Sequence, residues 1–105
     1  PWEVIEKRLV CAAQGDFALA LYNPSSKGRP DYLRRAVDVL LANGKAPDTL
    51  CGSVRNIGRE GQKKHILPLS QLRDTEVDMF TTVFVGNAAT RALSGRMVTP
   101  RGYRR

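Results

Sequence analysis

Between two stretches of helical spacing lies Phe17-Ala18-Leu19-Ala20-Leu21-Tyr22, six consecutive apolar residues ending on Asn23-Pro24. So short a run falls far below the ~20 residues that cross a bilayer. Its lack of alternation predicts a central strand buried on both faces. Such a strand needs a layer on either side, so its neighbours decide the architecture. Upstream, Trp2, Ile5, Leu9, Ala12 and Ala13 recur at helical intervals, with Glu3 and Glu6 ahead of Lys7 and Arg8 as the helix dipole prefers. Gly15-Asp16 breaks that helix. Downstream, Pro30 takes a first-turn position, Leu33, Ala36, Val37, Leu40 and Leu41 form one apolar face, and Asn43-Gly44 supplies a left-handed stop.

The remainder reads as strands and turns. Leu50–Arg55 is a strand, 56–62 a Gly-rich polar loop, 65–67 a second strand, and 70–72 a brief helical turn. Thr81–Val85, β-branched and apolar, is a strand that stops at Gly86-Asn87, and the tail, 90–105, is irregular. That order predicts an α/β layered domain with a mixed sheet of about four to five strands flanked by helices. With 42% apolar residues in 105, a core can form, and residues 1–105 fit one domain. The chain opens on Pro1, directly in helical pattern, and reads as a piece of something longer.

Several function classes lose support at this point. Cys11 and Cys51 stand 40 positions apart with no CxxC and no clustered His, so a metal site is not expected; both are read as reduced, buried thiols. His65, the single histidine, is read as a strand residue. Asp74, Glu76 and Asp78 are read as solvating a turn, and Gly58-Arg59-Glu60-Gly61 has neither dinucleotide-fingerprint nor P-loop spacing. No secretory signal or membrane span is visible. The formal charge of +7, concentrated at 55–64 and 91–105, attracts polyanions. A basic nucleic-acid-binding module is therefore one alternative, but no RNP-like, KH or helix-turn-helix signature supports it.

Two apolar strands run straight into Asn-bearing loops, Tyr22-Asn23-Pro24 and Arg55-Asn56-Ile57-Gly58. In open α/β sheets ligands gather at the carboxyl ends of strands. If the two strands are parallel and adjacent, their ends frame one pocket; otherwise both are plain turns, where Asn is common.

The same segments carry a family resemblance. Ala20-Leu21-Tyr22-Asn23-Pro24, Val54-Arg55-Asn56-Ile57-Gly58-Arg59-Glu60-Gly61, Val77-Asp78-Met79-Phe80-Thr81-Thr82-Val83-Phe84-Val85-Gly86-Asn87 and Gly95-Arg96-Met97-Val98-Thr99-Pro100-Arg101-Gly102-Tyr103 resemble, in order, consecutive blocks of the precorrin-3B C17-methyltransferases. That resemblance implies an S-adenosylmethionine-dependent tetrapyrrole methyltransferase of cobalamin synthesis, methylating carbon 17 of precorrin-3B with ring contraction. It implies that 1–105 is the C-terminal half of a two-domain, cytoplasmic, homodimeric enzyme. The cofactor site would be completed by an N-terminal domain, and this half alone would be inactive. A dimerisation module, driven by the face such a domain would cover, is the other alternative. By position, Leu21, Tyr22, Asn23, Asn56, Ile57, Met97, Val98, Thr99 and Pro100 would meet the cofactor. Arg55, Arg59 and Arg101 would grip substrate carboxylates. No side-chain catalytic base, metal, nucleic acid or membrane partner is implied.

Overall fold

Helix α1, Trp2–Gln14, and helix α2, Tyr32–Ala42, pack against each other because each carries one apolar stripe. On α1 the stripe is Trp2, Ile5, Leu9 and Ala13, and on α2 it is Leu33, Ala36, Val37 and Leu40. Trp2 meets Tyr32 edge to face with ring centroids 5.7 Å apart, and the Arg35 guanidinium lies 4.2 Å above the Trp2 ring. Helix α2 ends as its sequence predicts: Asn43 Nδ2 donates to Val39 O at 2.8 Å, and Gly44 follows at φ +110°. This computed structural model describes residues 2–22, 31–56, 60–78, 80–93 and 96–99. The loop at 23–28, Pro30, Gly58-Arg59 and the turn from Pro100 onward lie outside the described residues.

Both helices and the short α3, Leu69–Leu72, cover one face of a four-stranded sheet in the order β1-β4-β2-β3. The strands are β1, Leu19–Tyr22; β2, Leu50–Arg55; β3, Lys63–Pro68; and β4, Thr81–Val85. Alternation assigns Leu21, Cys51, Val83 and Val85 to the helix-covered face, and all four are buried. The other face carries the rows Ala20–Phe84–Gly52–Ile66 and Tyr22–Thr82–Val54–Lys64. A hairpin of β5, Arg91–Leu93, and β6, Arg96–Val98, reaches that second face through β6 and β2.

The α/β layering stands, with four corrections. The sheet is not mixed: β1 and β2 do run parallel, but β4 inserts between them antiparallel to both, so every pairing is antiparallel. The first apolar run is not a central strand. Phe17 belongs to the turn that ends α1, its N–H donating to Ala12 O at 2.9 Å, and β1 is an edge strand among the described residues. Phe17 and Tyr22 are accordingly 63% and 74% exposed. The tail is not wholly irregular, because pairing of Arg91 with Val98 and Leu93 with Arg96 satisfies its backbone as a hairpin. Cys11 is exposed, since it sits on the α1 face that carries Val4, Lys7 and Arg8 rather than on the Leu9–Ala13 stripe.

Candidate functional site

Gly52 lies mid-strand in β2, where a side chain would ordinarily stand over the open face. Its absence lets the β6 hairpin close in: a Cβ built at Gly52 would fall 2.8 Å from Met97 Sδ. Sheet and hairpin thereby enclose a groove of about 540 Å³, within the ~300–1,000 Å³ usual for small-molecule sites. Ala20, Val54, Ile66, Phe84 and Met97 make its walls apolar, while Thr99, Lys64 and Arg96 give it a polar rim. Thr99 is held from behind, its Oγ1 2.6 Å from that of Thr90, which in turn accepts the Asn87 N–H at 2.9 Å.

The two Asn-bearing ends stand at the same end of the sheet. Tyr22 and Val54 both register against Thr82, so the β1 and β2 termini flank the start of β4 rather than touching each other. Asn56 adopts φ +58°, a left-handed conformation that asparagine tolerates better than most residues, and donates its backbone N–H to Phe80 O at 3.1 Å. Tyr22 projects from the open face, whereas Leu21 is buried on the helix side. Val98 is exposed beside Met97 on β6. Asn23, Ile57, Arg59, Pro100 and Arg101 lie outside the described residues. Arg55 falls on the opposite sheet face from Met97, facing a smaller hollow of about 310 Å³ with Ser53, Lys63 and His65.

There Arg55 Nε lies 3.3 Å from Asp78 Oδ2, with both side chains partly exposed. The Asp78 carboxylate also accepts the Phe80 N–H at 2.8 Å and the Thr81 hydroxyl at 2.9 Å. The Phe80 amide first, then Thr81 and Arg55, hold that carboxyl below its usual range. Asp74 likewise pairs with Arg34 at 3.2 Å. Arg73 stands 3.7 Å from the same Asp74 oxygen, so among the described residues the acidic trio takes part in three ion pairs on its turn, as well as solvation. A larger hollow, about 790 Å³, opens at the other end of the sheet among Asp16, Asn43, Asp48 and Arg91, and none of the expected site residues lines it.

Sequence reasoning passed over Gly52, Phe84, Lys64 and Thr90 as parts of a site. Their roles depend on register across strands, and only the isolated glycine within an apolar strand offered a local signal. Among the described residues there is no group of three or more His, Cys, Asp or Glu that could hold a metal ion, and no helix long and apolar enough to cross a membrane.

This helix-backed sheet is similar to part of a methyltransferase: the crystal structure of the methyltransferase CobJ superposes with a TM-score of 0.83 at 41% identity, over 95% of this chain and 41% of that one. Sequence narrows the kinship to enzymes of cobalamin biosynthesis. The chain is 46% identical over 103 residues to a probable cobalt-factor III C(17)-methyltransferase of Salmonella typhimurium, covering 98% of this chain and 42% of the relative. It is 36% identical over 108 residues to the precorrin-3B C(17)-methyltransferase of a Sinorhizobium species, again covering 98% and 42%. To the cobalamin biosynthesis protein CbiHC of Archaeoglobus fulgidus it is 47% identical over 103 residues, covering 98% and 22%. No protein-family model matches the chain. The resemblance read from the four sequence blocks is borne out, and the chain spans at most about two fifths of the length of these relatives.

Proposed function

We propose that this chain is the C-terminal half of a C17-methyltransferase of cobalamin synthesis, and that its open sheet face is one wall of the cofactor site. Similarity of 36–46% along nearly the whole chain to enzymes so named is the observation that carries the reading. Relatives named for cobalt-factor III are 38–46% identical and the precorrin-3B relative 36%, so cobalt-factor III and precorrin-3B are both substrates to test.

The groove suits S-adenosylmethionine in size and lining. Its apolar walls match a flat purine ring, and Gly52 lets the hairpin approach the sheet as a side chain there would not. Met97 and Thr99 on the β6 rim, with Val98 beside them, fall where the resemblance puts the adenine side. When bound, this donor supplies an electrophilic sulfonium methyl that leaves a neutral thioether behind. An electron-rich ring carbon needs alignment and exclusion of water to attack it, more than a strong base. The chain's part is therefore positional: Ala20, Val54, Phe84 and Met97 keep water from one side. Arg59 and Arg101, with Arg55 at the end of β2 although it faces away from the groove, offer guanidinium forks to the many carboxylates of a tetrapyrrole. A substrate carboxylate reaching Arg55 competes with Asp78 for it. Homodimerisation and a cytoplasmic setting complete the proposal.

Calorimetry with S-adenosylhomocysteine tests the division of the site. We expect no heat from this chain alone at micromolar ligand, and saturable heat from a protein carrying both halves of the relatives' length. Equally tight binding by both would refute a shared site. Offering cobalt-factor III and precorrin-3B to the longer protein, and weighing the product for one added methyl, decides between the two substrates.

A further inference from the structure

Lys45 is the chain's most deeply buried charge-bearing side chain among the described residues, with none of it exposed. A buried ammonium is costly unless it is paired and hydrogen-bonded. Here Nζ donates to the Gly86 carbonyl at 2.5 Å and lies 3.3 Å from Asp16 Oδ1. The other oxygen of Asp16 accepts the Ala88 N–H at 3.0 Å. Asp16 takes this role at φ +53°, just after α1, in the left-handed region that aspartate tolerates better than most residues. Lysine and aspartate thus hold the 86–90 turn at two points, from the α1 and α2 ends.

That turn is the support of the groove's rim. The Thr90 hydroxyl accepts from Asn87 N at 2.9 Å and meets Thr99 Oγ1 at 2.6 Å, while Gly86 and Thr99 both line the groove. We infer that Lys45, clamped by Asp16 and Gly86, is a positioning residue that sets the height of the Met97–Thr99 rim over the open sheet face. It touches no ligand and acts through the Thr90–Thr99 contact. The inference rests on the groove being the cofactor wall proposed above.

Two readouts keep the clamp and that proposal apart. In this chain, Lys45→Met is expected to raise hydrogen exchange in β5 and β6 selectively, leaving the amides of β2 and β4 protected. Thr90→Val, which breaks the relay without touching the buried charge, is expected to do the same, and Thr90→Ser to restore protection. In the full-length enzyme, Lys45→Met and Thr90→Val should raise KM for the methyl donor about tenfold while kcat changes less than about twofold, with Lys45→Arg and Thr90→Ser intermediate or normal. Exchange that rises uniformly, or a Thr90→Val hairpin as protected as the parent's, overturns the clamp. A loosened hairpin with an unchanged KM overturns its link to the groove. Wild-type full-length enzyme that fails to bind S-adenosylhomocysteine sinks the functional reading while the exchange result on the clamp still stands.

Discussion

Cys51 and Cys11 show how far one residue's chemistry depends on which face it occupies. Cys51 stands on the helix-covered face of β2, registered between Val85 and Leu67, with its Sγ 3.5 Å from Thr49 O. Burial pushes its thiol up to about 12, against smaller opposing effects from a backbone bond to Gly86 and the nearby Lys45. Raised in this way, the group stays neutral at every pH where the fold is handled, and only a thiolate is nucleophilic. Cys11 is free and exposed on α1. Iodoacetamide at about pH 8, close to the ordinary thiol range, should therefore label the native chain once, at Cys11, and twice after denaturation. Peptide mapping checks this, and prompt native labelling of Cys51 would show that the β2 core opens.

At the scale of elements, helix α2 carries the fold, because Leu33, Ala36, Val37 and Leu40 together join α1 to the sheet. Leu40 has no exposed surface, so Leu40→Ala should cost about 2–5 kcal/mol in chemical denaturation with an unchanged m-value. A loss below about 1 kcal/mol would mean the helix–sheet layer repacks freely. This helix was plain in the sequence, as were α1, β2 and β4 to the residue, since apolar spacing reports whether a segment's own side chains are buried. Strand order was not legible. Insertion of β4 between β1 and β2 depends on pairing between segments far apart in the chain, and nothing local to Leu19–Tyr22 marks it as an edge. The hairpin escaped notice because Arg91–Leu93 and Arg96–Val98 are short and largely exposed, leaving little alternation to detect. Met97 and Thr99 entered as site residues through family resemblance. Gly52 and Thr90, which shape the same groove, gain their meaning only from what register sets opposite them.

The whole molecule is asymmetric: helices bury one face of its sheet, while the other presents Tyr22, Phe84 and Ile66, all exposed. The apolar run at Phe17–Tyr22 predicts cover on both faces; among the described residues the helices cover one and the β5–β6 hairpin reaches only part of the other. Exposed apolar side chains on a sheet face that no helix covers mark a place where something else binds or packs. Under the proposed function that something is the rest of the enzyme together with its ligands. The folded chain should therefore raise the fluorescence of 8-anilinonaphthalene-1-sulfonate, a probe of exposed apolar surface. Phe84→Ser with Ile66→Lys should reduce the signal at little cost in stability, since neither side chain belongs to the buried core. Supplying the other half of the enzyme in trans should quench the parent's signal and leave the double variant's largely unaltered. A signal that survives both treatments would place the apolar surface elsewhere than on the open sheet, and with it the wall on which the cofactor is proposed to rest.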